Sequence, residues 1–329
     1  MNETVLVTGG TGFVAGWAIV ELLRRGYRVH TTVRSLVREA GLRRAIATEV
    51  DPGDGLELVI ADLTNDAGWV QAVAGCRFVL HIASPLAGGG GDTLIAAAVQ
   101  GTHRVLAAAA DAGIERVVMT SSTAACTPAK PLSRAIDESD WTDTKQPGLA
   151  AYRRSKVLAE RAAWDFMAGK ATALTTLLPG AIFGPALTPD QSGSLGIIRG
   201  LLQGRPSLLP RLAFNITDVR DLAAAHVKAM TTPEAAGERF IVMGDALWFR
   251  EVAQVLRDRL GDRAAKVPTT PLPDWAARAL AIVSPQMREL LPLLSRTQKF
   301  SSEKAKRVLG FTPRPPSDTL ADCGASLSV

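Results

Sequence analysis

Thr4-Val5-Leu6-Val7-Thr8-Gly9-Gly10-Thr11-Gly12-Phe13-Val14-Ala15 carries the decisive pattern, because its two halves demand different backbone states. The β-branched run Thr4–Thr8 reads as a short buried strand, and an amphipathic helix reads from Gly12 to Arg25. Between them lie three glycines in four residues, more than a plain strand-to-helix turn needs. A helix that starts directly after such a turn aims unpaired backbone N–H groups at the space above the strand. That is where a pyrophosphate binds, so the stretch points to a nucleotide site at the first strand of an α/β sheet.

Outward from this turn the same rhythm repeats. Strands are expected at Thr4–Thr8, Tyr27–Val33, Leu56–Ile60, Phe78–Ile82, Arg116–Thr120 and Ala173–Leu178. Helices are expected at Gly12–Arg25, Asn65–Val73, Asp92–Ala112 and Leu149–Met167, closed by Gly26, Gly75, Gly113 and Gly169, which tolerate positive φ. Strands alternating with helices of this length make βαβ units and a parallel sheet covered on both faces. The fold class is therefore α/β, a Rossmann-type doubly wound parallel sheet. After Pro179 the alternation is broken by Pro185, Pro189, Gly193, Pro206 and Pro210. Asn215–Ile216 then lead into Asp218, which can cap a helix running to Met230, and further helices read at Phe249–Leu260, Asp274–Val283, Gln286–Ser295 and Ser302–Leu309. The expected division is a nucleotide domain over 1–179, with a returning strand and helix at about 213–245, and a smaller, mostly helical substrate lobe from 180–212 and 246–329. Gly88–Gly91 reads as a short loop.

Composition narrows the function. The 329 residues are 47% hydrophobic and 21% charged, enough for one large or two ordinary cores, which excludes disordered, collagen-like and coiled-coil chains. The 37 Lys and Arg against 32 Asp and Glu leave a charge of +5, but the two signs are interleaved. A nucleic-acid binder gathers its cations on one face; here the local excess is Arg34, Arg38, Arg43 and Arg44, and no nucleic acid partner is expected. Cys76, Cys126 and Cys323 are too few and too far apart for a disulfide framework or a metal knuckle. His30, His81, His103 and His226 lack HxH or HExxH spacing and read as structural, so no metal is expected. With no basic leader and no apolar run approaching about 18 residues, the expectation is a cytoplasmic protein without a membrane partner.

The cofactor reading turns on Val33-Arg34-Ser35. An acidic residue at the end of the second strand would accept from the adenosine ribose hydroxyls of NAD, and this chain has none there. Arg34 suits a 2′-phosphate instead, with Ser35 and Arg38 as helpers, so NADP(H) is expected. Asp62, after the third strand, is placed either to touch the adenine edge or to cap the next helix, and both readings stand.

Tyr152 and Lys156 are four residues apart on one expected helix and so share a face. A free tyrosine has a pKa near 10, so drawing it towards 7 needs about 4 kcal/mol of preference for the phenolate. A lysine ammonium and an oxidised nicotinamide, both cationic, can supply that preference. Ser122, after the strand Arg116–Thr120, adds a hydroxyl that can hold a carbonyl oxygen beside Tyr152.

Taken in order, Thr8-Gly9-x-x-Gly12-x-x-Ala15, Asp62-Leu63, His81-Ile82-Ala83-Ser84-Pro85, Thr120-Ser121-Ser122, Tyr152-x-x-x-Lys156 and Asp218-Val219-Arg220-Asp221 resemble the extended short-chain dehydrogenases. His-Ile-Ala-Ser-Pro and the Thr-Val-Arg of the second strand make the chain most similar to the branch of dihydroflavonol 4-reductase and cinnamoyl-CoA reductase, which includes microbial NADPH-dependent aldehyde and ketone reductases. Ser302-Glu303-Lys304-Ala305 through Leu309-Gly310-Phe311-Thr312-Pro313 extends the resemblance to the C-terminal end. The resemblance implies catalysis by Ser122, Tyr152 and Lys156, with Lys156 also bonding the nicotinamide ribose. It places Gly9, Gly12 and Phe13 at the pyrophosphate, Arg34 at the 2′-phosphate and Asp62 with Leu63 at the adenine. Ala83 and Ser84 fall on the ribose side, and Pro179 to Ile182 at the carboxamide. Thr127 stands where plant dihydroflavonol reductases place a polar amide, which argues against a flavonoid substrate.

The expected activity is NADPH-dependent reduction of an aldehyde or ketone to an alcohol, by a monomer or homodimer acting on a small-molecule carbonyl. Hydride comes from nicotinamide C4 and the proton from Tyr152. The alternatives are a 3β-hydroxysteroid dehydrogenase or epimerase on the same scaffold, and a non-catalytic NADP-sensing regulator. Cys126 reads as a small apolar residue close after Ser122. Trp248, Phe249, Trp275 and Met287 read as core or as an apolar substrate wall.

Overall fold

A computed structural model describes residues 3–85, 91–188, 191 and 193–327. Residues 88–90 of the Gly88–Gly91 stretch, and Pro189, lie outside the described residues. Along the chain the strands are β1 (Thr4–Val7), β2 (Arg28–Val33), β3 (Leu56–Ile60), β4 (Cys76–His81), β5 (Arg116–Thr120), β6 (Ala173–Pro179), β7 (Ala181–Phe183), β8 (Leu209–Pro210), β9 (Ala213–Asp218), β10 (Arg239–Val242), β11 (Ala246–Trp248) and β12 (Pro271–Leu272). The helices are α1 (Phe13–Arg24), α2 (Glu39–Ala47), α3 (Trp69–Val73), α4 (Gly91–Asp111), α5 (Ala151–Met167), α6 (Leu195–Leu202), α7 (Val219–Thr231), α8 (Phe249–Leu260), α9 (Asp274–Val283), α10 (Pro285–Leu290), α11 (Glu303–Leu309) and α12 (Pro316–Ser326).

Seven strands form one parallel sheet in the order β10-β6-β5-β4-β1-β2-β3. Its central strands bury both faces: all five residues of β5 are buried, and this is why its sequence shows no alternation of apolar and polar residues. One face packs on α1 and α7 through Trp17, Ile19, Leu22, Leu222 and Met230. The other packs on α3, α4 and α5 through Trp69, Val105, Leu106 and Ala163. Gly26, Gly75, Gly113 and Gly169 follow their helices with φ between +67° and +80°, the left-handed geometry expected of them.

Three features depart from the sequence reading. The strand expected to return near residue 215 does not join the large sheet; β9 pairs with β7 and β11 in a small sheet, and the strand that returns beside β6 is β10. Gly180 makes this possible, since a Cβ there would stand 2.2 Å from the Asn215 carbonyl oxygen. Thr217 stitches the two sheets, accepting from Gly180 N at 3.0 Å and donating to the Val242 carbonyl at 2.9 Å. Second, α2 was not expected. It buries Leu42, Ala45 and Ile46 on one side and closes its first turn with a Glu39–Arg43 ion pair at 2.8 Å. Third, α11 was assigned to the substrate lobe, but Ala305, Leu309 and Phe311 pack into the core shared by α1 and α7. The segment α9–α10 instead builds a small separate cluster around Leu212, Leu272, Ala277 and Leu294. Among the described residues no helix is long and apolar enough to cross a membrane.

Candidate active site

At the C-terminal ends of the parallel strands lies a cavity of about 1080 Å³, running from α2 past the glycine turn to the start of α5. The turn is shaped by contact with β2. Gly9 has φ +75° and donates its N–H to Thr32 Oγ1 at 2.9 Å, while Gly10 donates to the Thr32 carbonyl at 3.0 Å. A Cβ on Gly10 would stand 2.3 Å from Thr31 Oγ1, so only glycine lets the turn approach this closely. Gly12 donates to the Gly9 carbonyl at 2.8 Å and is the N-cap of α1 without a side-chain cap. Gly10, Thr11, Phe13 and Val14 line the cavity here, so the N-terminus of α1, which no side chain caps, lies at its wall.

Thr8 ties this turn to the end of β4. Its hydroxyl accepts from Ile82 N at 3.0 Å and Ala83 N at 2.9 Å, so its proton goes to His81 Nδ1 at 3.1 Å. His81 then donates from Nε2 to Thr102 Oγ1 at 3.4 Å, which fixes the neutral tautomer. Burial, helped by the charge of Lys156, pushes its pKa down to about 3. His81 is a structural residue of the site, as its spacing implied.

At the α2 end, Arg34 is exposed and stands outside the cavity wall, where its charge acts on Asp62. Asp62 accepts from Thr64 N at 2.8 Å and Thr64 Oγ1 at 2.7 Å; these bonds, then Arg34, hold its carboxyl below the usual range. Asp62 thus closes a local turn with Thr64 and does not cap the next helix, since α3 begins only at Trp69 with Gly68 as its N-cap. The guanidinium groups that do line the cavity here are Arg38 and Arg44, neither paired with a carboxylate among the described residues. Arg44 belongs to the basic cluster seen in the sequence, and its place at the cavity is set by α2, which the sequence reading does not contain.

At the other end, Tyr152 and Lys156 project one turn apart from α5. Tyr152 is 38% exposed into the cavity, and Lys156 is buried beneath it with Nζ 6.0 Å from the Tyr152 ring centroid. Burial raises the Tyr152 phenol above its ordinary value, and the hydrogen bond with the Ser122 hydroxyl opposes this; Lys156 was expected to draw it down and does not figure among its causes. Tyr152 is accordingly a protonated phenol at neutral pH. Burial pushes Lys156 down to about 8, opposed by the carboxylate of Glu160. Ser122 also caps the turn Thr123–Ala125, its Oγ accepting from Ala124 N at 3.1 Å, so its capping and positioning roles coexist.

Of the other predicted residues, Phe13, Ser84, Pro179 and Ile182 line the cavity. Gly9, Gly12 and Ala83 lie behind it in the turn, and Leu63 packs against Gly101. Cys126 is buried, and burial pushes its thiol up. Phe214, Leu293 and Phe300 contribute apolar wall to the cavity. Trp248, Phe249, Trp275 and Met287 do not line it: Phe249 is core and Trp275 is 76% exposed. Among the described lining residues there is no Asp, Glu, His or Cys, so Tyr152 and Lys156 are the groups able to exchange a proton there.

The profile of the NAD dependent epimerase/dehydratase family matches residues 5–244. The chain is 33% identical over 302 residues to an anthocyanidin reductase, described as (2S)-flavan-3-ol-forming, of Vitis vinifera, covering 86% of this chain and 88% of that one. It is 35% identical over 263 residues to cinnamoyl-CoA reductase 1 of Oryza sativa subsp. japonica, covering 78% and 76%. Among solved structures, Gre2 from Candida albicans in complex with NADPH superposes with a TM-score of 0.79 at 27% identity, covering 97% of each chain.

Proposed function

Because the chain belongs to the NAD dependent epimerase/dehydratase family, as an extended short-chain reductase of the branch of dihydroflavonol 4-reductase and cinnamoyl-CoA reductase, we propose that it reduces an aldehyde or ketone to the alcohol with NADPH. The observation that carries this reading is the grouping of Ser122, Tyr152 and Lys156 in one cavity with the glycine turn, where no other described group exchanges protons near neutrality. The cavity volume of about 1080 Å³ exceeds the range of about 300–1,000 Å³ usual for one small ligand, as a dinucleotide with its substrate requires.

The residues present fit that cofactor. The uncapped N-terminus of α1 would hold the pyrophosphate, Arg38 and Arg44 with Arg34 nearby would hold a 2′-phosphate, and Lys156 would hold the nicotinamide ribose. NADPH also is bound by the Gre2 structure of similar fold. When bound, the nicotinamide supplies the hydride. Ser122 and Tyr152 receive the carbonyl oxygen with their hydroxyls and so stabilise charge building on it. Tyr152, held protonated by burial, gives its proton to that oxygen, and the Ser122 hydroxyl, whose hydrogen bond favours the ionised phenol, stabilises the phenolate left behind, with Lys156 Nζ 6.0 Å from the ring centroid. The apolar wall excludes water from the reacting carbonyl.

The test is oxidation of NADPH and of NADH with a panel of aliphatic and aromatic carbonyls, each repeated with Tyr152→Phe. Turnover is expected with NADPH in preference to NADH, and Tyr152→Phe should lower kcat by about 10²-fold or more, the range of a lost general acid. Turnover that survives in Tyr152→Phe would remove that residue from proton transfer. A preference for NADH would overturn the arginine assignment.

A further inference from the structure

Arg153 follows Tyr152 directly on α5 and lines the same cavity. Its guanidinium is partly buried and makes no hydrogen bond or ion pair with a described residue. Burial lowers its pKa from the ordinary arginine value. Arg296, carried by the segment after α10, reaches the same cavity and is likewise unpaired among the described residues.

The described cavity wall holds Arg38, Arg44, Arg153, Lys156 and Arg296, and no carboxylate. Arg38 and Arg44 belong to the α2 end and Lys156 to the proton relay, which leaves two cations without a task. A guanidinium taken partly out of water without a counter-ion is unfavourable unless a ligand supplies the anion. Its planar fork matches the two oxygens of a carboxylate or a phosphate.

Resting on the carbonyl-reductase reading above, we propose that Arg153, assisted by Arg296, forms an anion subsite beside the reacting carbonyl, and that the substrate is a carbonyl compound carrying a carboxylate or phosphate group. Phe214, Leu293 and Phe300 then cover the apolar body between the two polar ends. Because the subsite binds ground state and transition state alike, it acts on KM more than on kcat.

The experiment compares para-carboxybenzaldehyde, its neutral methyl ester and para-formylphenyl phosphate as substrates of the full-length protein, in wild type, Arg153→Leu and Arg153→Lys. The wild type should prefer an anion over the ester in kcat/KM by about 10-fold or more, through KM, and the better of the two anions identifies the natural group. Arg153→Leu should collapse the anion-to-ester ratio by at least about tenfold, and Arg153→Lys should restore part of it. Calorimetric binding of the corresponding alcohols to the NADP⁺-loaded protein reads the same ratio without turnover. A ratio unchanged in Arg153→Leu, or a wild type that prefers the ester, overturns the subsite. Should the leucine variant fail to fold, Arg153→Gln takes its place with the same expected ratio. Absence of all reduction with Arg153-dependent binding of the anionic alcohols intact would refute the reductase reading and leave the subsite standing. Reduction of the ester with no anion preference would do the reverse.

Discussion

Lys156 is the group in the site whose charge alkali removes first. Burial lowers its ammonium to about 8, while burial raises the Tyr152 phenol. Reduction should therefore weaken above about pH 8 as Lys156⁺ is lost, with log kcat/KM approaching a slope of minus one, and Tyr152 is excluded as the source of that limb. Stability moves the opposite way. The folded pKa lies below the ordinary lysine value of about 10.4, so the unfolded chain binds more protons between the two, and folding gains as pH rises from about 8 to 10. A pH–rate profile flat to about pH 9.5 would show that the charge of Lys156 is not used. The trio Ser122, Tyr152 and Lys156 was legible because helical spacing and strand ends locate side chains without further detail. Arg153 and Arg296 were not, since an arginine becomes informative only when its neighbourhood is seen to contain no carboxylate.

One turn beyond Lys156, α5 is fastened by Glu160, whose side chain is fully buried. Its carboxylate accepts from Ser121 Oγ at 2.6 Å, just past the end of β5, from Thr176 Oγ1 at 2.8 Å on β6 and from Arg239 Nε at 2.8 Å on β10. Arg239 is stacked 3.7 Å from the Trp141 ring centroid and also donates to the backbone carbonyls of Glu138 and Asp140. Breaking a buried pair leaves an uncompensated charge, so Glu160→Gln should cost about 3–5 kcal/mol in urea unfolding, while Glu160→Leu with Arg239→Met should recover much of that. A loss under about 1 kcal/mol would mean that α5 is held by its apolar face alone. Elements whose own residues state their burial, such as β4, β5 and α8, were readable with small errors at the ends. The short α2 was not: Gly41 interrupts it and only three of its residues are buried. The sheet that β9 joins was hidden for a different reason, because a β-branched run shows that a strand exists and not which edge it pairs with. That choice is made by Gly180 and Thr217, which are far from β10 in sequence.

Across the molecule, two neutral histidines bind the large sheet to its two opposite helical layers. His81 on β4 reaches Thr102 on α4, and His226 on α7 reaches Thr120 on β5 at 2.7 Å. His226 Nδ1 faces the Leu222 carbonyl at 2.8 Å and must donate there, so Nε2 accepts from the threonine and the ring has no room for a second proton. Burial takes His81 to about 3 and His226 to about 4, both below the ordinary 6.5. A depressed histidine binds fewer protons folded than unfolded, so its contribution is complete above about pH 6.5 and is lost as pH falls towards the folded values. At pH 5 each histidine lies about 1.5 units below the unfolded pKa, a loss of about 2 kcal/mol apiece, or about 4 kcal/mol for the whole protein. Asp62, Asp137 and Asp140, with lowered pKa, lose their share only below their ordinary 3.8, and Glu138, raised by burial, works weakly in the opposite direction. Urea unfolding at pH 7 and pH 5 should therefore differ by several kcal/mol, and His226→Gln, whatever its cost at pH 7, should reduce that difference by about half. A stability that does not change between the two pH values would contradict the neutral, doubly bonded state of both rings and with it the account of how the sheet and its two layers are joined.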